Sequence, residues 1–253
     1  MRCSFTKITL LGTGDAVGTP KIGCSCPACL DAHAGGKSRR LRFSVLVESS
    51  KGRALIDTSP DLRWQLLKKG INHVEGVIWT HPHYDHYAGF GDFHRIQNGV
   101  NVYGLKNTLD YILSYLSFMR PVRHDVSFYT PFELIGLNMT LVEVTHPPLE
   151  ESAGVIITDG KSKVVITGDT SKDIPGRSLE LMSRPDLLIA DAIIPPRGKI
   201  PKHMNSQDAM ELAFELEAKN VVLTHLSHNF PPHDASVKQW PLGYDGMEFE
   251  FEF

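Results

Sequence analysis

No stretch of this sequence stays apolar for long. The longest aliphatic runs, around 187–190 and 164–166, hold a few residues each, against the ~20 that a membrane-spanning helix needs. The opening Met1-Arg2-Cys3-Ser4-Phe5-Thr6-Lys7 lacks the apolar centre of a signal peptide. A cytoplasmic protein with no membrane partner is therefore expected. Neither sign of charge dominates: 26 Lys+Arg face 29 Asp+Glu, a formal net charge of -3. That argues against a broad basic face for long nucleic acid. Only 4 cysteines occur in 253 residues, too few for a disulfide framework. No repeat, low-complexity block or linker rich in Pro, Gly or Ser divides the chain. With 42% hydrophobic and 22% charged residues, one folded domain over 1–253 is expected.

What the chain does have is 12 histidines, and three of its four cysteines crowded into positions 24 to 29. Short runs rich in β-branched and apolar residues predict strands at 5–11, 43–48, 54–56, 77–80, 139–144, 154–158, 164–167, 187–190 and 221–224. Ser59 as N-cap and Pro60 in the first turn predict a helix that Gly70 ends. Leu109, Ile112, Leu113 and Leu116 carry helical spacing over 106–118. Asn205 caps a third helix running to Leu216, with Asp208 near its positive end. Strands come first and are then mixed with helices, an α/β fold class, and several chemical motifs sit just after strands. Cys3 reads as a strand residue with no partner by spacing.

The densest motif is Thr80-His81-Pro82-His83-Tyr84-Asp85-His86. A tight turn can aim three imidazoles and a carboxylate into one space, a donor set that suits zinc, manganese or iron(II). Three later residues stand at predicted strand ends: His146, Asp169 in Gly168-Asp169-Thr170, and His225. In this order the motifs resemble the metallo-β-lactamase superfamily over nearly the whole chain. The resemblance implies a four-layer αββα sandwich. It implies one catalytic metal on His81, His83 and His146, and another on Asp85, His86 and His225, with Asp169 bridging. Leu11-Gly12-Thr13-Gly14 and Gly18-Thr19-Pro20 look like the family's glycine turn after its first strand. Neither a P-loop Lys-Ser/Thr nor a Rossmann third glycine follows, so a nucleotide loop is disfavoured.

Cys24-Ser25-Cys26-Pro27-Ala28-Cys29 reads as a soft-metal clamp lacking a fourth ligand. His228, three residues after His225, is the first candidate, and His33 a weaker rival. The cysteine loop and paired histidine resemble one branch of the superfamily, the phosphodiesterases of the carbon–phosphorus lyase pathway that act on phosphoribosyl cyclic phosphate. That branch implies a structural zinc on Cys24, Cys26, Cys29 and His228. It also implies two catalytic divalent ions, zinc or manganese, and a bridging hydroxide that attacks a small cyclic phosphodiester. His203 matches the branch's histidine near the substrate phosphate and is the expected proton donor, with Asp85 a ligand first and a proton carrier second.

Competing expectations are a tRNA 3′-processing endonuclease, a β-lactam or thioester hydrolase, and a quinone-cofactor biosynthesis accessory protein. The first needs a long tRNA-holding arm, absent here, and the last lacks the full histidine set. A small phosphodiester is the expected partner, and a homodimer is left open. Arg39, Arg40 and Arg42 could meet a substrate phosphate, but fit better as a solvated face or structural ion pair. His33, His73, His94, His124 and His233 have no ligand-like setting, and Tyr244–Glu248 resembles the branch's C-terminal segment, assigned to packing.

Overall fold

The computed structural model describes residues 5–196 and 198–252; Cys3 lies outside them. The elements run β1 (Phe5–Gly12), α1 (Pro27–His33), β2 (Ser44–Ser49), β3 (Gly52–Ile56), α2 (Leu62–Lys69), β4 (Gly76–Ile78), α3 (Tyr84–Tyr87), β5 (Asn101–Gly104) and α4 (Lys106–Leu116). They continue with β6 (Val122–Asp125), β7 (Phe132–Leu134), β8 (Leu137–Val144), β9 (Ser152–Thr158), β10 (Lys163–Ile166), α5 (Gly176–Met182) and β11 (Leu187–Asp191). Last come α6 (Ser206–Glu215), β12 (Val221–Thr224), α7 (His233–Ser236) and β13 (Glu248–Glu252).

Two sheets form, one in the order β13-β1-β2-β3-β4-β5-β6 and one in the order β12-β11-β10-β9-β8-β7. Because strand side chains alternate, each central strand feeds two cores. Ala54 and Ile56 of β3 join Val164 and Ile166 of β10 between the sheets. Leu55 points the other way, into a core with Leu62, Leu66, Leu109 and Ile112 of α2 and α4. Val165 likewise packs with Leu212, Leu216 and Met182 on the far side. Helix, sheet, sheet and helix layers follow from this double burial, and the four-layer αββα sandwich is the observed architecture.

The N-terminus of α2 departs from expectation. Asp61, not Ser59, stands at the cap position. Ser59 Oγ accepts the Asp61 N–H at 3.3 Å and donates to Gln65 Oε1 at 3.2 Å, which keeps 57–60 as a loop. The third helix begins as expected. Asn205 Oδ1 accepts from the Gln207 and Asp208 amides at 2.8 and 3.0 Å, and Asp208 returns a bond to the Asn205 amide at 3.2 Å. The C-terminal segment does more than pack: β13 adds to the edge of the first sheet, antiparallel to β1.

Candidate metal centre

The sandwich brings separate strand ends to one place. Asp57 follows β3, His81 the stretch after β4, His146 β8, Asp169 β10 and His225 β12, while Asp191 closes β11. His83 caps α3, whose single turn carries Asp85 and His86 inward and leaves Tyr84 exposed. Two of these residues, Asp57 (φ 60°) and His225 (φ 56°), hold left-handed backbone without being glycine. That strain is kept where it aims a side chain into the site.

Ligand-type atoms of His81, His83, His146 and Asp169 all lie within 4.8 Å of one another, as do those of Asp85, His86, Asp169 and His225. Asp169 belongs to both groups. Its Oδ2 is 3.7 Å from His81 Nε2, 3.9 Å from His146 Nε2, and 3.3 Å from both His86 Nε2 and His225 Nε2. Asp85 Oδ2 sits 3.4 and 3.5 Å from the same two Nε2 atoms. All seven residues expected as ligands thus converge, in the two sets expected.

The donor set fits divalent cations. His86 Nε2 and His225 Nε2 are buried with no hydrogen-bond partner, an arrangement that costs free energy unless something else binds there. Burial, with His86 nearby, drives His81 well below its usual value, and burial brings His146 to about 4. These imidazoles are neutral, as ligation requires. Burial works against protonating His86 and His225, yet Asp169 and the neighbouring carboxylates outweigh it, raising His86 well above its usual value and His225 to about 9. The same histidines hold Asp85 and Asp169 ionised against their burial. A cation bound here would take the place of those protons as the carboxylates' counter-charge.

Outer partners fix the rings. His86 Nδ1–H donates to Asp57 Oδ2 at 2.7 Å, and Asp57 also accepts from the Thr80 amide and hydroxyl at 2.9 and 2.8 Å. His146 Nδ1–H donates to the Lys202 carbonyl at 2.8 Å. Each bond turns Nε2 toward the ligand cluster, where a metal would sit. His203, expected as proton donor, is buried beside this cluster with its ring stacked 4.9 Å from His225. Its Nδ1–H donates to Asp191 Oδ2 at 2.8 Å. Asp57 and Asp191 were missed by sequence reasoning; an acidic residue directly after a buried strand was the available signal. So was Asp15, which lines the pocket of about 180 Å³ beside His83, Lys202 and His203.

The cysteine loop closes on the predicted partner. Sγ atoms of Cys24 and Cys26 each lie 3.5 Å from His228 Nδ1, and Cys29 completes a four-residue group within 4.8 Å. His33 ends α1, exposed and outside that group. Burial opposes ionisation of Cys26, but its bond to His228 and contacts with the other cysteines bring it down to about 6. The arginine run splits. Buried Arg40 reaches Thr13 Oγ1 at 2.9 Å and His233 Nδ1 at 3.1 Å. Arg42 pairs with Asp61 at 2.9 Å. Arg39 stays exposed.

Comparison with known proteins agrees with this geometry. The family described as a beta-lactamase superfamily domain matches residues 52–226. The crystal structure of a diphosphatase from the PhnP family superposes with a TM-score of 0.88 at 31% identity, covering 98% of both chains. The octanoyltransferase of Porphyromonas gingivalis is 29% identical over 98% of this chain, which spans only 51% of that protein's length. The probable metallo-hydrolase YhfI of Bacillus subtilis is 25% identical, over 89% of this chain and 93% of that one. Among the described residues no helix is long and apolar enough to cross a membrane. With its family match, its fold and its convergent histidines and carboxylates, the chain belongs to the metallo-β-lactamase superfamily and is a metal-dependent hydrolase.

Proposed function

We propose that the chain is a phosphodiesterase for small, including cyclic, phosphodiesters, working with two divalent ions, zinc or manganese, held by His81, His83 and His146 and by Asp85, His86 and His225, with Asp169 between them. The observation that carries this reading is the shared Asp169 carboxylate facing four imidazole Nε2 atoms beside the buried Asp191–His203 pair. Cations at these positions supply charge neutralisation at a phosphoryl group and an activated water.

The chain's own residues do the rest. Asp191 accepts a hydrogen bond from His203 Nδ1–H, which orients the ring so that Nε2 carries the proton for the leaving oxygen. Lys202 lines the same pocket, and its side chain makes no ion pair among the described residues, so its ammonium is available to a second anionic group of the substrate. The small pocket volume favours a compact substrate over a folded RNA. Cys24, Cys26, Cys29 and His228 would hold a structural zinc, which would tie the loop before α1 to the segment after His225.

A second reading, cleavage of a diphosphate bond, is favoured by the similarity to the PhnP-family diphosphatase. It would use the same residues on a phosphoanhydride. Metal-loaded protein should be offered bis-p-nitrophenyl phosphate, a 2′,3′-cyclic nucleotide, a dinucleoside diphosphate, a tRNA precursor and a β-lactam. Turnover of the first two supports the phosphodiesterase, and turnover of the dinucleoside diphosphate alone supports the second reading. Inertness toward every phosphoryl substrate with metals present sinks both.

A further inference from the structure

A second cavity lies apart from the metal pocket. It measures about 720 Å³ and shares no lining residue with it, a volume typical of small-ligand sites. One wall is α2, where Trp64, Leu67 and Lys68 stand three and four residues apart on one helix face. The inward side of α2 is already served by Leu62, Gln65 and Leu66. Trp64 and Leu67 are 63% and 57% exposed, so the core does not account for them. The opposite wall comes from the loop after α1 and from Tyr244. At Gly36 in that loop a Cβ would meet the Asp31 carboxylate at 2.1 Å.

Three cations surround this opening: Lys37, Arg39 and Lys68. Among the described residues none of them makes an ion pair. Lys37 lies over the Tyr244 ring at 4.4 Å. The one carboxylate in the wall, Asp245, is already engaged, taking the Thr13 amide and hydroxyl on one oxygen and the Leu41 amide on the other. An exposed indole framed by uncompensated cations is the chemistry that takes up a flat ring carrying an anionic group.

We propose that this cavity is a second ligand site that binds a nucleotide, with the base against Trp64 and the phosphate among Lys37, Arg39 and Lys68. Arg39, the one arginine of its run without a structural partner, finds its use here. The proposal is independent of the metals and of the reaction they support.

AMP is a suitable probe, since it holds neither a diester nor a phosphoanhydride bond. Titrated into metal-loaded protein, it should quench Trp64 fluorescence saturably; of the other two tryptophans, Trp79 is fully buried and Trp240 is half-buried against the second core and outside the cavity lining, and their emission remains in Trp64→Phe. Trp64→Phe should abolish that quench. Arg39→Ala with Lys68→Ala should weaken binding by ~10-fold or more while turnover of bis-p-nitrophenyl phosphate stays at the wild-type rate. Ribose 5-phosphate, which lacks the base, should bind more weakly than AMP. The proposal is overturned if AMP gives no saturable quench at millimolar concentration, or an equal one in the double variant. It is equally overturned if Trp64 emission changes with protein concentration alone, which would assign this face to a second copy of the chain.

Discussion

Asp191 Oδ2 accepts the Nδ1 proton of His203 at 2.8 Å, with both residues buried at the end of β11 and before α6. The bond fixes which ring nitrogen carries the proton and which way the other faces. His203→Ala should lower turnover by ~10²–10⁴-fold without removing the catalytic metals. Asp191→Asn keeps the shape but loses the charge, so its drop should be smaller and its pH profile displaced. Metal content by elemental analysis decides between roles: if His203→Ala loses metal, the residue is a ligand or a prop.

Asp57 supports the other end of the site. It is fully buried and takes three hydrogen bonds, one from His86 and two from Thr80. Asp57→Asn should weaken binding of the metal at Asp85, His86 and His225 by ~10–100-fold, since outer partners orient the ring and raise its basicity. Competition with a chromophoric chelator measures this. Unchanged affinity would mean that the Asp57 contact serves only folding.

Legibility tracked sequence distance. His81, His83, Asp85 and His86 were visible because the turn and the one-turn helix that aim them are local. His146, Asp169 and His225 were visible because each ends a strand with a clear apolar run. Asp57 and Asp191 occupy equivalent places, but a single carboxylate after a strand looks like any surface residue until its partner, 29 or 12 positions away, is placed beside it. β13 was hidden for the same reason, since its pairing with β1 joins the two ends of the chain. The start of α2 was misplaced because Asp61 accepts from the Arg42 amide and guanidinium at 2.8 and 2.9 Å. That long-range demand outweighed the local signal of Ser59-Pro60.

The cysteine clamp makes a separable prediction. Cys26 stands at the N-cap of α1, and its sulfur lies beside His228 on the loop that follows β12. Cys26→Ser should cost about one zinc per chain and lower the unfolding midpoint, because a closed site's binding energy is folding energy. The catalytic ions should remain, so zinc stoichiometry should fall without vanishing. Unaltered stoichiometry would remove the clamp from the account.

His233 carries a pH dependence away from the metals. It is buried, and its Nδ1 accepts from Arg40 Nη2 at 3.1 Å. Burial, then the charges of Arg40 and Lys37, lower its pKa to about 4 from an ordinary 6.5. The native state therefore resists a proton that the unfolded chain accepts. Its contribution to stability is complete above about pH 6.5 and is lost as pH falls toward 4. His233→Asn retains an acceptor for Arg40 without the titration. The difference in urea-unfolding free energy between wild type and variant should shrink steadily as pH falls through that window. A difference that stays flat from pH 7 to 4.5 would show that His233 binds its proton equally in both states.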